Sequence, residues 1–343
     1  MTYKFKFTEQ NAGRASDFET KTLLYLLGID QDRSEISIVF IDCFNDITGA
    51  DLSCESLWDF QSKNVSKLNP RKTGESLFTL FWNFSSKFEF RKYALFIPQP
   101  KQSYLNNSTS LEFGIENFGD NKDTIREGLV LEHLRRTKAK NLSAEEHKQI
   151  DLFLKEVVFI IDRGEKYDYV MNLVSFKDKN LKPKKFYSDI FDEIRVVQNN
   201  KKFRSIHNLA INKIPEALSF DKHLHVREIT SLVVTRLVGV DLFKRQAIPL
   251  DFLPEVHDLD HNDVKDLIQK CKEKISRAVF NKNSKENFWG FLESAISKLL
   301  TDPELSCRKV YDIVTINGDK RFSYLTGLSG VYLISLIKEG FEQ

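Results

Sequence analysis

The sequence predicts an α/β fold for residues 1–205, with a mixed sheet flanked by helices, and a mostly helical domain for residues 206–343. Two observations support this prediction. In the first hundred residues, short β-branched or aromatic runs alternate with segments whose apolar residues recur at helical spacing. Beyond His225 helical spacing dominates, and prolines separate the segments. The length of 343 residues is enough for two domains.

The N-terminal elements are predicted in the order helix, strand, strand, helix, strand. The predicted helices cover residues 16–27 and 74–88, and the predicted strands cover 36–41, 57–61 and 93–97. Ser16 is a candidate cap for the first helix. Residues 45–50 are interpreted as a break with Gly49 as the turn residue, and Pro98 ends the last strand.

The middle of the chain is predicted to be mixed. Polar residues at 101–127 indicate an exposed loop, and a strand is expected at 169–176. Ser143 and Glu146 have the spacing of a capping box. The remaining helices are expected at 124–139, 143–158, 226–238, 262–280, 284–300 and 327–341.

Net charge does not indicate a nucleic-acid partner, because 51 Lys and Arg face 49 Asp and Glu. One segment, residues 177–204, is nevertheless locally basic, with nine basic against four acidic side chains. Such a segment either contacts DNA phosphates or forms a solvated surface loop. The candidate DNA contacts are Lys182, Lys184, Lys185, Lys201, Lys202 and Arg204.

The N-terminal sequence MTYKFKFTEQ lacks the apolar run of a signal peptide. No stretch of about 18 apolar residues occurs elsewhere. We therefore expect a soluble cytoplasmic protein that has no contact with a membrane.

Three polar residues in the predicted sheet form the main candidate site. Asp46 follows the strand at 36–41, and Gln61 and Lys63 end the next predicted strand. Side chains alternate along a strand, so Gln61 and Lys63 point to the same face. Asp46 and Gln61 offer oxygen ligands to a divalent cation, and Lys63 can position water and offset charge on a phosphorane. The alternative interpretation is a structural strand that carries a surface Gln and Lys.

The pattern D-(x)n-(E/Q)-x-K resembles the PD-(D/E)XK, or restriction-endonuclease-like, superfamily. The Gln-x-Lys version is similar to the double-stranded-DNA endonuclease domains of bacterial anti-phage systems, the CBASS nuclease effectors and the Lamassu nuclease subunits. The resemblance also covers Gly13-Arg14, Phe18-Glu19 and the run Lys72-Thr-Gly-Glu. The family often has Glu where this chain has Asp42, and Gln61 replaces a carboxylate, which lowers the negative charge available to a second metal.

The resemblance implies a restriction-endonuclease-like fold and a Mg²⁺- or Mn²⁺-dependent DNA endonuclease that acts in a defence complex. It implies a further metal ligand at Glu19 in the first helix. It also implies double-stranded DNA as substrate. The similarity to Lamassu nuclease subunits implies an SMC-like ATPase and an accessory subunit as partners and activation by homo-oligomerisation. The C-terminal helices would then bind partners or hold the oligomer, whereas the similarity to CBASS effectors would instead imply a C-terminal nucleotide-sensing domain. The alternative from another class is a catalytically inactive nuclease-like scaffold that binds DNA or partner proteins.

Overall fold

The chain forms two compact units in a computed structural model that describes residues 2–6, 16–65, 68–106, 110–203, 205–316, 322 and 324–342. Unit 1 comprises Met1–Tyr169 and Phe191–Val226, and unit 2 comprises Val170–Ile190 and Arg227–Gln343. The sequence predicted a single division near residue 205. Instead, the chain leaves unit 1 for a short stretch of unit 2 and then returns to complete unit 1.

Nine strands are described. They are β1 (Tyr3–Lys4), β2 (Ile38–Ile41), β3 (Ile47–Ala50), β4 (Leu57–Ser62), β5 (Phe90–Pro98), β6 (Glu112–Phe113), β7 (Val158–Asp162), β8 (Ala210–Ile211) and β9 (His223–His225). Seven of them form one mixed sheet in the order β6-β7-β5-β4-β3-β2-β9. The pairs β4/β5 and β5/β7 are parallel, and the other pairs in this sheet are antiparallel. Strands β1 and β8 form a separate antiparallel pair.

Seven α-helices are described before the C-terminal region. They are α1 (Asp17–Gly28), α2 (Pro70–Ser76), α3 (Phe78–Phe84), α4 (Lys122–Thr137), α5 (Ala144–Glu156), α6 (Lys166–Val174) and α7 (Lys184–Asn199). Helix α1 packs on one face of the sheet, where the ring of Tyr25 contacts Phe60 and Phe96. A hydrophobic core forms between the sheet and helices α3 and α5. Phe81 of α3 and Phe153 of α5 pack there with ring centroids 5.6 Å apart. The mixed sheet flanked by helices is therefore confirmed.

Helices α2 and α4 cross at unusually close range because both have glycine at the crossing. A Cβ on Gly74 would lie 1.9 Å from the carbonyl oxygen of Ile125, and a Cβ on Gly128 would lie 2.2 Å from that of Arg71. Either contact is too short for any side chain, so the two glycines are required by the packing.

Several local predictions differ from the structure. Residues 47–50, interpreted as part of a break, form β3, which is paired on both sides. Residues 166–174 form the helix α6 where a strand was predicted at 169–176, and the strand of this region is β7 at 158–162. Residues 74–88 contain parts of two short helices instead of one. The capping box of Ser143 and Glu146 is confirmed.

The C-terminal region is helical, as predicted. Its helices are α8 (Val226–Val238), α9 (His261–Phe280), α10 (Lys285–Thr301), α11 (Cys307–Ile316) and α12 (Leu328–Glu342). Ile229, Val233 and Leu237 of α8 are buried, so the apolar stripe of this helix lies in a core. Within the described part of the chain, every helix is too short or too polar to cross a bilayer.

Candidate active site

Four polar residues lie at one edge of the sheet. Because β3 is antiparallel to both β2 and β4, the end of β2, the start of β3 and the end of β4 meet at this edge. Strands β5 and β7 run parallel to β4, so their carboxyl ends lie there as well. Asp42, Asp46, Lys63 and Asp162 are placed at this edge by the topology alone.

Asp46 and Gln61 are in direct contact. Ile47 pairs with Phe60, so Asp46, one residue earlier, lies opposite Gln61. Gln61 Nε2 donates to Asp46 Oδ2 over 2.6 Å. The backbone amide and the hydroxyl of Ser62 donate to the same oxygen over 2.9 and 2.8 Å. These three donors fix the orientation of the carboxylate.

The contact leaves two oxygen acceptors available. No described residue donates a hydrogen bond to Asp46 Oδ1 or to Gln61 Oε1. Both residues are buried, with 9% of Asp46 and 4% of Gln61 exposed. Carboxylate and amide oxygens that accept no hydrogen bond, on side chains that are otherwise largely buried, are suited to a hard cation such as Mg²⁺ or Mn²⁺, which prefers oxygen ligands.

Asp59 anchors the turn that carries Asp46. It is fully buried on β4 and accepts hydrogen bonds from Thr48 Oγ1 at 3.1 Å and Asn83 Nδ2 at 2.7 Å. Asn45 Nδ2 lies 3.4 Å from the same carboxylate, and its Oδ1 accepts from the backbone amide of Asp46. Burial raises the pKa of Asp59 to about 7, against these hydrogen bonds, and the negative charge of Asp46 adds to the rise.

Glu19 and Asp42 share one buried lysine. Glu19 lies in the first turn of α1, whose cap Ser16 accepts a hydrogen bond from the Glu19 backbone amide. Lys202 Nζ lies 2.6 Å from Glu19 Oε2 and 3.2 Å from Asp42 Oδ2, and only 2% of the Lys202 side chain is exposed. This single ammonium therefore forms ion pairs with two carboxylates at once.

The negative charge of Asp46 acts on the carboxyl groups of both Glu19 and Asp42. Burial, together with the charge of Asp46, raises the pKa of Glu19 to about 7 against the opposing effect of Lys202. Burial likewise raises the pKa of Asp42 to about 6, with Lys202 opposing and Asp46 adding to the rise. Glu19 and Asp42 therefore both sense the charge of Asp46.

Lys63 directly follows β4 at the same edge of the sheet, and it makes no ion pair with Glu19, Asp42 or Asp46. Its backbone amide donates to the carbonyl of Phe96 over 2.9 Å, which extends the β4/β5 ladder by one residue. By strand alternation its side chain leaves on the same side as that of Gln61. The side chain is half-buried, and its ammonium pairs with no described residue.

The side chains at this edge of the sheet match the ligands of a bound metal only in part. Among the described residues, no three His, Cys, Asp or Glu side chains are grouped so that they could hold a metal together. Mg²⁺ often keeps several waters and takes one or two carboxylates together with substrate phosphates. One carboxylate oxygen of Asp46 and the amide oxygen of Gln61 suit that kind of ion. Glu19, expected as a further ligand, is paired with Lys202 instead.

The predicted basic patch is divided between the two units. Lys182, Lys184 and Lys185 lie in unit 2, Lys201 and Lys202 lie in unit 1, and Arg204 lies outside the described residues, as do Gly13 and Arg14. Lys185 pairs with Asp189 at 2.9 Å, and Lys201 pairs with Asp221 at 2.7 Å. Lys182 packs over the ring of Phe341, and burial lowers its pKa.

The predicted role of Lys202 as a DNA contact is corrected by the structure. It is buried against Glu19 and Asp42, so it is not part of an exposed phosphate-binding surface. Sequence reasoning missed this role, and it also missed Asp59. A charged residue inside the apolar run LWDFQ was a usable signal for Asp59, whereas nothing near Lys202 in sequence indicates its partners.

A scan against protein-family models, a search of curated proteins and a search of solved structures found no match to this chain. The interpretation of the site therefore rests on its own geometry.

Proposed function

We propose that unit 1 is a metal-dependent DNA endonuclease whose active site is built on Asp46, Gln61 and Lys63. The observation that carries the proposal is the 2.6 Å hydrogen bond from Gln61 to Asp46, which holds both side chains at the sheet edge and leaves one oxygen of each available. The mixed sheet, with the acid before β3 and Gln-x-Lys at the end of β4, supports the restriction-endonuclease-like fold as part of this proposal.

Each residue has a distinct role in this proposal. Asp46 and Gln61 would hold a divalent cation through Oδ1 and Oε1, and Ser62 keeps the carboxylate oriented by two hydrogen bonds. A bound Mg²⁺ or Mn²⁺ supplies a Lewis acid for the phosphate and lowers the pKa of a bound water. Lys63 orients the attacking water and offsets the charge that develops on the phosphorane. An ammonium that pairs with no carboxylate of the described residues is suited to that task.

One observation favours the alternative of a non-catalytic scaffold. Lys202 occupies two of the carboxylates at this edge, and no three acidic, His or Cys side chains of the described chain converge on one point. A nuclease-like fold kept for binding DNA or protein would tolerate that arrangement. The two functions differ in a property that is simple to measure, namely phosphodiester cleavage that depends on a divalent cation.

The decisive experiment is a supercoiled-plasmid assay with Mg²⁺, with Mn²⁺ and with EDTA. The proposal expects nicked and linear DNA with either metal and none with EDTA. Cleavage should be lost in Asp46→Asn and in Lys63→Met. The matched control is Lys140→Met, because Lys140 is an exposed lysine between α4 and α5. DNA binding without cleavage under all metal conditions would support the scaffold.

The proposed partners are double-stranded DNA, an SMC-like ATPase and an accessory subunit of a defence complex against phage or plasmids. They rest on the resemblance, as does homo-oligomerisation of the active form. The test is to mix the purified protein with the products of neighbouring genes and measure complex mass with and without DNA. A chain that stays monomeric in every mixture would contradict this part of the proposal.

A further inference from the structure

The edge of the sheet contains its own buried cation. Lys202 is reached only after the chain has passed through unit 2, yet its ammonium lies between two carboxylates that flank Asp46. Lys222 lies beside it, 3% exposed, and donates to the Lys202 carbonyl over 3.3 Å. The positive charge of Lys222 also acts on Asp42.

The charges around Asp46 are therefore almost balanced without a metal. Glu19, Asp42 and Asp46 carry three negative charges when ionised, and Lys202 and Lys222 carry two positive charges. Of these three carboxylates, Asp46 is the one that pairs with no described ammonium. Among the described residues, its side chain accepts hydrogen bonds only from Gln61 and Ser62, which are neutral.

We propose that Lys202 is a built-in cation that takes the place of a second metal ion, so that the site binds a single divalent cation at Asp46 and Gln61. The inference rests on the proposed function, because it concerns the metal that the nuclease would use. Lys202 is then a positioning residue: it holds Glu19 and Asp42 away from the metal and does not itself touch DNA.

The physical reason is competition for the same oxygens. An ammonium 2.6 Å from Glu19 and 3.2 Å from Asp42 occupies the side of both carboxylates that a second cation would need. It also repels a divalent ion, and this repulsion is strong where both groups are buried. Because the ammonium belongs to the chain, it remains in place at any metal concentration.

The test is the number of Mn²⁺ ions bound per chain, measured by isothermal titration calorimetry and by electron paramagnetic resonance of free Mn²⁺. Wild type is expected to bind one ion, and Asp46→Asn is expected to bind none. Lys202→Met frees Glu19 and Asp42, so it should bind two ions, the first at least about tenfold more tightly than wild type. The matched control is Lys21→Met, since Lys21 pairs with the single carboxylate of Asp162 at the same edge and should leave the number at one.

A second variant covers the case in which Lys202→Met does not fold. Glu19→Gln keeps the shape of the side chain, and the inference expects it to bind one Mn²⁺ with less than about a threefold change in affinity, because Glu19 is not a metal ligand while Lys202 is present. Loss of Mn²⁺ binding in Glu19→Gln would overturn the inference, and so would two ions in wild type or one ion in folded Lys202→Met. Wild type that binds no Mn²⁺ at all would overturn the proposed function and this inference together.

Discussion

The buried carboxyl group of Asp59 should make the protein less stable as the pH rises. In the unfolded chain an aspartate has a pKa of about 3.9, whereas burial raises the pKa of Asp59 in the folded protein to about 7. The folded state therefore holds a proton that the unfolded state has already lost. This stabilising contribution is present at low pH and disappears as the pH rises through 7.

The size of the effect follows from the two pKa values. Between pH 5 and pH 8, proton linkage through Asp59 alone lowers the free energy of unfolding by about 2.5 kcal/mol. Asp59→Asn cannot ionise, so it removes this dependence. The substitution also disturbs the hydrogen bonds from Thr48, Asn83 and Asn45, but that cost is nearly independent of pH. The difference in stability between wild type and variant should therefore shift by about 2.5 kcal/mol in favour of the variant from pH 5 to pH 8.

The assay is urea unfolding at several pH values, followed by tryptophan fluorescence, to which Trp58, buried beside Asp59 on β4, contributes. The control is Asp51→Asn. Although partial burial opposes it, hydrogen bonds from Ser53 and two backbone amides hold the pKa of Asp51 below its ordinary value, so its contribution changes only below about pH 4. Parallel stability curves for wild type and Asp59→Asn between pH 5 and 8 would refute the reasoning.

Four further outcomes are expected. Lys63→Met should lower the plasmid-cleavage rate by about 10²-fold or more with an unchanged melting temperature, since its ammonium pairs with no described residue; an unchanged rate would contradict its role. Asp46→Asn should abolish the rise in melting temperature that Mn²⁺ produces in wild type, and a rise equal to that of wild type would place the metal elsewhere. Ser143→Ala should lower the free energy of unfolding by about 1 kcal/mol in urea titrations, because it removes the capping box of α5; no loss would show that the cap is not needed. Gly74→Ala should lower it by more than about 2 kcal/mol, because the new Cβ would overlap the carbonyl of Ile125, and a variant as stable as wild type would show that α2 and α4 can move apart.

The strands that were predicted correctly are those whose residues identify them without help from the rest of the fold. β2, β4 and β5 contain apolar, β-branched or aromatic runs, and such runs favour buried strands. β3 was missed because two of its four residues are Gly49 and Ala50, which are depleted in strands. Its extended state comes from hydrogen-bond ladders on both sides, and a Cβ on Gly49 would come within 3.2 Å of Ile36 and Leu26, so only glycine packs there without a shift.

The basic segment shows how charge counting can hide periodicity. In α7 the residues Tyr187, Ile190, Phe191 and Ile194 are buried at the spacing of one helix face. Lysines and aspartates lie between these buried residues, so the segment has the composition of a charged loop although its apolar residues have helical spacing. A helix with one buried face leaves its charged residues to local ion pairs such as Lys185 with Asp189.

The candidate site also contains both residues that are close in sequence and residues that only the tertiary fold brings together. Asp46, Gln61 and Lys63 lie within 18 residues of one another, and strand alternation predicts that Gln61 and Lys63 leave the same face. The pairing of Asp46 with Gln61 depends on the register of β3, the strand that was missed. Lys202 is 183 residues from Glu19, and only the tertiary fold brings the two together. No pattern in one sequence reports a contact over that distance.

The path of the chain through the two units has a consequence for synthesis of the protein on the ribosome. Strand β9, which covers the outer edge of β2, and both buried lysines lie in the returning stretch of unit 1. A nascent chain that ends before this stretch has Glu19, Asp42 and Asp46 but not the ammonium groups that balance them in the finished protein. The candidate site therefore reaches its full set of charges only after Lys222 has left the exit tunnel, and an N-terminal fragment released early would lack both ammonium groups.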